Sequence, residues 1–453
     1  MKGFVKINPT TGKLVPSMLL FALPIAFGAI VQTLFHACDL VVVRMAADSV
    51  AVASVGATSV VTSLFVTSAV GLSSGVNIVL ARLIGAREYE RAKRLISTAI
   101  LTALAVGVVV ALLGVVFGDD ILRLMNCPED CFEGARIYFI VYVLAAPFIL
   151  LYNFAATVIR VDGDTVRPLI YLVTAGVINV VLNLILCFLL DNKVLAVALA
   201  TVVSKILSAT FAMIRLIRVD GPCAFSFRET KFDFSLCKLL FRYGVPGAIT
   251  NATFSISGLL IQGAVNTFGS SAVAGNTGAS NVETIINSFS GGLHSAISVF
   301  IGQNIGANKP DRVRGTFWSG TFVACGWMFA LSTIVMIFRV PLLSLFVGDD
   351  AVAIASGCVR FAYIMQFNVF YCLRGCLRSS LNAFGYSRFT MVESLLSVVV
   401  FRVLWMSFIY PLNPCLEMAY VTYLISAMLS SVIAAPILVV VFHRYKKGIV
   451  TEI

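Results

Sequence analysis

The chain repeats itself once, at an offset of about 222 residues, and both copies consist of apolar stretches long enough to cross a membrane. Ile84-Gly85-Ala86 recurs as Ile305-Gly306-Ala307, and the basic run Arg91-Ala92-Lys93 recurs as Arg312-Val313-Arg314. Pro24 is echoed by Pro246, Gly163 by Gly385, and Ala51-Val52-Ala53 by Ala272-Val273-Ala274. A duplicated membrane bundle is the architecture of a transporter whose halves move about a site between them.

Only 12% of the residues are charged, about half the share in a soluble domain, and the mean hydropathy is +0.97. A soluble globular fold is excluded for most of the length. Spans are predicted at 14–42, 50–81, 95–117, 134–159, 168–190, 194–214, 239–268, 279–304, 315–338, 352–377, 389–411 and 417–442. The expected fold class is therefore an all-α membrane protein of twelve transmembrane helices. They form two six-helix lobes, 1–217 and 237–453, joined by a polar cytoplasmic linker at 218–236. Six spans per lobe make the repeat parallel.

The net charge of +11 raises nucleic acid as a partner, but its distribution answers otherwise. Most basic residues fall on one set of alternating loops, among them Lys13, Arg87, Lys93, Arg228, Arg374, Arg378 and Lys446. Arg44, Arg123, Arg136, Lys193, Arg339 and Arg360 fall on the other set, with acids such as Asp119 and Asp349. The positive-inside rule puts both termini in the cytoplasm. The charge is a topology signal, and no nucleic acid is expected. The eleven cysteines carry no paired CxxC motif, so no structural zinc site is expected. Cys127 and Cys131 flank an outer loop, as a pair or as two free thiols.

Ionisable groups inside spans are costly and point to function. Asp39, Lys205, Glu283, Glu393 and Arg402 stand out. Gln32, His36 and Asp39 are spaced i, i+4, i+7 and share a helix face. A desolvated carboxyl there can load and release a proton, or bind Na⁺ when ionised. The competing account pairs Asp39 with Arg44 at the helix end. Asn179 and Asn183 are four apart, as are Thr201 and Lys205; they suit a cation site or plain helix–helix adhesion. In the second half the polar stripe is Glu283, Asn287, Ser290 and His294. Arg402 cannot lose its charge and needs a partner: a carboxylate such as Glu393, a row of carbonyls, or the opposite lobe. Pro24 and Pro246 break the first helix of each half and are hinge candidates; a static kink is the plainer alternative.

These residues resemble the MATE (multidrug and toxic compound extrusion) family. The resemblance rests on Pro24 with Asp39, Leu83-Ile84-Gly85-Ala86-Arg87, and Ile159-Arg160-Val161-Asp162-Gly163-Asp164-Thr165 followed by Pro168. In the second half it rests on Phe300-Ile301-Gly302-Gln303-Asn304-Ile305-Gly306-Ala307 and Arg402-Val403-Leu404-Trp405. It implies a V-shaped pair of lobes in the bacterial plasma membrane. It also implies secondary active antiport: drug-like organic cations leave in exchange for H⁺ or Na⁺, with no cofactor and no enzymatic activity. The implied coupling site is Asp39 with Tyr138, Asn179, Asn183 and Thr201, and any bound Na⁺ would sit at Asp39. The implied substrate cavity takes in Gln32, His36, Asn153, Gln262, Glu283, Asn287 and Arg402. Some members carry Asp where this chain has Asn183, which leaves one titratable group fewer. The expected partners are small molecules and membrane lipids, and the expected state is a monomer. The rivals are a lipid-linked oligosaccharide flippase of the same superfamily and an exporter of an endogenous metabolite. A pyrophosphate headgroup would call for several cavity arginines, and the sequence offers Arg402 and Lys205.

Overall fold

The computed structural model describes residues 6–46, 49–125, 127–228 and 230–448, except for the side chains at 36, 37, 39–41 and 43–49. The described residues form helices and connecting loops, with no strand among them. The first half holds α1 (Leu14–Ala46), α2 (Ser49–Gly85), α3 (Tyr89–Leu124), α4 (Glu129–Leu144), α5 (Ala146–Val161), α6 (Val166–Leu189) and α7 (Lys193–Arg218). The second holds α8 (Phe234–Asn266), α9 (Ser270–Gly306), α10 (Pro310–Ile337), α11 (Arg339–Val347), α12 (Ala351–Ile364), α13 (Asn368–Ala383), α14 (Ser387–Ser394), α15 (Phe401–Leu404) and α16 (Leu416–Lys446).

Ten helical stretches are long and apolar enough to cross a bilayer. Two bent pairs, α4 with α5 at 46° and α12 with α13 at 48°, bring the spans to twelve. The sequence predicted each pair as one continuous helix. Both breaks fall at matched places in the repeat, and Pro147 at the start of α5 supplies the first. The eleventh span is irregular as well. Between α14 and Leu412 it winds as π-helix over Leu395–Val400 and Trp405–Ile409, on either side of α15.

The chain divides into two compact units. One holds Phe27–Ala248 with the short stretch ending at Ile7, the other Asn8–Ala26 with Ile249–Ile453. The cuts fall inside α1 and α8, two residues past Pro24 and Pro246, instead of within the 218–236 segment. Close packing explains them. In the first unit Gly71 and Gly75 of α2 lie against Gly244 and Gly247 of α8; a Cβ on Gly71 would stand 2.5 Å from the Gly247 carbonyl oxygen. In the second unit Gly292 of α9 lies against Ala22 and Ala26 of α1, where a Cβ would stand 2.5 Å from the Ala22 carbonyl oxygen. Small residues four apart let helix backbones touch in a membrane, where van der Waals packing replaces the hydrophobic effect. Gly71 and Gly292 are partners in the repeat, so the duplication carried the crossing with it.

The backbone repeats itself in the loops too. Gly163 and Gly385 sit at φ +93° and +82°, and Arg87 and Asn308 at +60° and +52°. The last two end α2 and α9 in the left-handed conformation that closes a helix C-terminus. Arg87 N–H donates to Ile84 carbonyl oxygen, and Asn308 N–H to Ile305 carbonyl oxygen.

Cys127 on the loop before α4 and Cys131 in the first turn of α4 are free thiols with their sulfurs 3.8 Å apart. Burial, and then the contact with Cys131, push the Cys127 thiol up to about 11. Only the thiolate alkylates. After allowing for the higher nucleophilicity of a weaker acid, Cys127 should react with maleimide roughly 20-fold more slowly than an unperturbed thiol at pH 8. Timed labelling of a Cys131→Ser variant, in which the rate should rise, checks this.

Candidate functional site

In the first unit, α1, α6 and α7 line a small, partly open cavity of about 30 Å³, room for a water or an ion. Its wall includes Gln32 and Phe35 from α1, Asn179 from α6, and Thr201, Ser204 and Lys205 from α7. Gly176 shapes it: any Cβ there would collide with the Phe35 ring. Asn183 lies one turn beyond and donates from Nδ2 to Asn179 Oδ1 at 3.4 Å. Asn179 Nδ2 is buried without a hydrogen-bond partner among the described residues. Thr201 donates to the Val197 carbonyl oxygen at 2.9 Å, which leaves its oxygen lone pairs for a further guest.

The structure thus brings Gln32, Asn179, Thr201 and Lys205 to one cavity, with Asn183 adjoining. The side chains of His36 and Asp39 lie outside the described residues. Tyr138 is buried on α4, with its ring stacked on Tyr142 at 6.1 Å, and is not among the cavity wall residues given above. Asn153 turns back on its own helix, donating to the Ile149 carbonyl oxygen at 2.8 Å. Pro24 and Pro246 are inside α1 and α8, as expected.

The second unit holds a different polar interior. Glu283 forms a two-pronged ion pair with Arg360, at 2.8 Å from Nε and 2.7 Å from Nη2. Arg360 Nη1 also donates to Asn276 Oδ1 at 2.6 Å, which accepts from the Tyr420 hydroxyl at 2.9 Å as well. Asn276 Nδ2 donates to Gln262 Oε1 at 2.7 Å. Glu283 and Gln262 are therefore committed to an internal network. Asn287 accepts a 3.3 Å hydrogen bond from Asn368. His294 contacts Ser290 at 3.2 Å and the Cys372 carbonyl oxygen at 3.1 Å. Its ring, with the Cys372 and Cys376 sulfurs, makes the one set of three metal-capable atoms within 4.8 Å among the described residues. The imidazole lies flat on Gly375, where packing already accounts for it.

Arg402 meets no carboxylate among the described residues. It donates to Ser257 and Ser426 hydroxyls at 2.9 and 3.0 Å, and its guanidinium carbon lies 4.2 Å from the Tyr423 ring centre. Glu393 accepts from Ser397 and Ser394 instead. Arg360, Arg374 and Arg378 correct the loop assignment made from sequence: each sits within a helix, and Arg360 and Arg374 are buried. The pairing of Arg360 with Glu283 was missed because α9 and α12 are far apart in sequence. The i, i+4 spacing of Arg374 and Arg378 within an apolar span was the overlooked signal.

Comparison with known proteins identifies the family. Residues 24–185 and 246–406 each match the MatE family model, and the matches begin at Pro24 and Pro246. The chain is 30% identical over 341 residues to the probable multidrug resistance protein YoeA of Bacillus subtilis (strain 168), covering 74% of each. Its fold matches the crystal structure of a MATE protein in complex with MaL6 at a TM-score of 0.90, with 20% identity over 98% of this chain and 100% of that one. It matches a MOP superfamily transporter from Pyrococcus furiosus Vc1 (DSM3638) at 0.89, with the same identity and coverage. A family match over both repeats, on a multi-pass helical scaffold, assigns the chain to transport and not to enzymatic catalysis: it belongs to the MatE family.

Proposed function

We propose that the chain is a drug exporter of the bacterial plasma membrane, with both termini cytoplasmic, that expels amphipathic organic cations by H⁺ antiport. The observation that carries the coupling assignment is the ion-sized polar cavity walled by Gln32, Asn179, Thr201 and Lys205. It lies beside α1, the helix that carries Asp39. The donor set on its wall suits the proton better than Na⁺. Na⁺ needs several oxygen ligands, and Lys205 offers none, whereas a proton needs only the Asp39 carboxyl. Protonating Asp39 removes a charge from α1, whose membership of the two units changes two residues past Pro24. That junction is where a change in bend would be expressed.

YoeA supports the drug assignment through its own description as a probable multidrug resistance protein. The test is efflux of ethidium from cells expressing the transporter. Asp39→Asn should abolish efflux while the protein still reaches the membrane, and full-rate efflux by that variant would overturn the assignment.

A further inference from the structure

The second unit buries more positive charge than it neutralises. Arg374 and Arg402 are 6% and 2% exposed, and Arg378 is half-buried beside them on α13. None of the three has a carboxylate within ion-pair distance among the described residues. Arg374 and Arg378 donate no hydrogen bond to a described residue; both guanidinium groups rest on the Phe254 ring, at 4.6 and 5.3 Å, and Arg374 also on Tyr371 at 4.1 Å. Buried N–H groups remain unpartnered on all three: Nη1 of Arg374, Nη1 of Arg378 and Nε of Arg402. Arg402 reaches the same part of α8, because its partner Ser257 lies one turn from Phe254, so the three arginines form one cluster.

A buried, unpaired charge is strongly unfavourable unless something compensates it. Arg360 has its compensation in an ion pair with Glu283; this cluster has no ion pair among the described residues. Guanidinium forks favour carboxylate, sulfonate and phosphate oxygens, and aromatic faces beside them accept an apolar body. The π-helical turns on both sides of α15 widen the helix around Arg402, a distortion common at functional sites.

We infer that Arg374, Arg378 and Arg402 form a binding site for an amphipathic organic anion, its acidic group on the guanidinium N–H donors and its apolar body against Phe254, Tyr371 and Tyr423. The site goes beyond cation export and does not depend on it. The same chemistry is offered by a soluble anion and by an anionic lipid headgroup.

The test uses the full-length protein in phosphatidylcholine nanodiscs and follows carboxyfluorescein binding by fluorescence anisotropy, with ethidium as the cationic counterpart. Saturable carboxyfluorescein binding is expected, weakened about tenfold or more by Arg374→Gln and by Arg378→Gln. Arg388→Gln, the same charge change at an exposed site, should leave it unchanged, and ethidium binding should not move in any variant. If Arg374→Gln fails to fold, the half-buried Arg378→Gln carries the test. Discs doped with phosphatidylglycerol identify the occupant: competition supports a lipid headgroup, and no competition supports a soluble anion. Absence of saturable anion binding by the wild type, or undiminished binding by the folded variants, would overturn the site.

Discussion

Glu283→Ala should be the most damaging single change in the second unit, costing about 3–5 kcal/mol because it strands Arg360. Both partners are buried, at 6% and 7% exposure, and the carboxylate takes two of the Arg360 donors. Once it is removed, Arg360 retains Asn276 and the faces of Tyr420 and Tyr423, none of which carries a negative charge. In a membrane the unfolded helices also find polar partners, which pulls the expected cost toward the lower end. Removing both charges is the informative control. Glu283→Met with Arg360→Met should recover most of the loss, because replacing a buried pair with apolar residues of similar size is often neutral or better. Unfolding midpoints in detergent would measure both; a double variant as unstable as the single one would show that shape, not charge, is the cause.

Gly71→Leu should be comparably severe in the first unit. A Cβ at Gly71 would stand 2.5 Å from the Gly247 carbonyl oxygen and 2.6 Å from the Ala248 amide nitrogen. Those are backbone atoms, so no side-chain rotation relieves the clash, and α2 and α8 must separate. Overpacking typically costs 1–3 kcal/mol and more where backbone must move, so about 3 kcal/mol or above is expected here. Gly56, on the same helix, faces open space within 4 Å, and Gly56→Leu should be tolerated. Monodisperse yield and thermal stability of the two variants, measured side by side, separate a packing requirement from a general intolerance of bulk in α2.

The scaffold was legible because its rules are short-range. Apolar length gave the spans, and the repeated Ile-Gly-Ala loops gave the duplication that the left-handed Arg87 and Asn308 now display in the backbone. The bends between α4 and α5 and between α12 and α13 were not legible, since hydropathy is blind to a change of direction within one apolar run. In the first unit, i, i+4 spacing paired Asn179 with Asn183 and Thr201 with Lys205, and the family resemblance, not spacing, set Asn179 beside Thr201. The second-unit interior depends on contacts between distant helices, and there spacing failed. For Arg402 the sequence left a carboxylate, a row of carbonyls or the opposite lobe open as partner; it meets two serines and a tyrosine. Arg360, assigned to a loop, is the partner of Glu283. Arg374 and Arg378, counted with a loop in the sequence, lie inside α13.

We propose that protons drive export through the first unit, with Asp39 as the group that loads them. The most direct measurement is ethidium transport by the reconstituted protein in liposomes, driven separately by a pH gradient and by a Na⁺ gradient of equal size. Transport under the pH gradient alone, absent in Asp39→Asn, is the predicted result. Equal transport under Na⁺ without a pH gradient, or a pH-driven rate unchanged in Asp39→Asn, would contradict it.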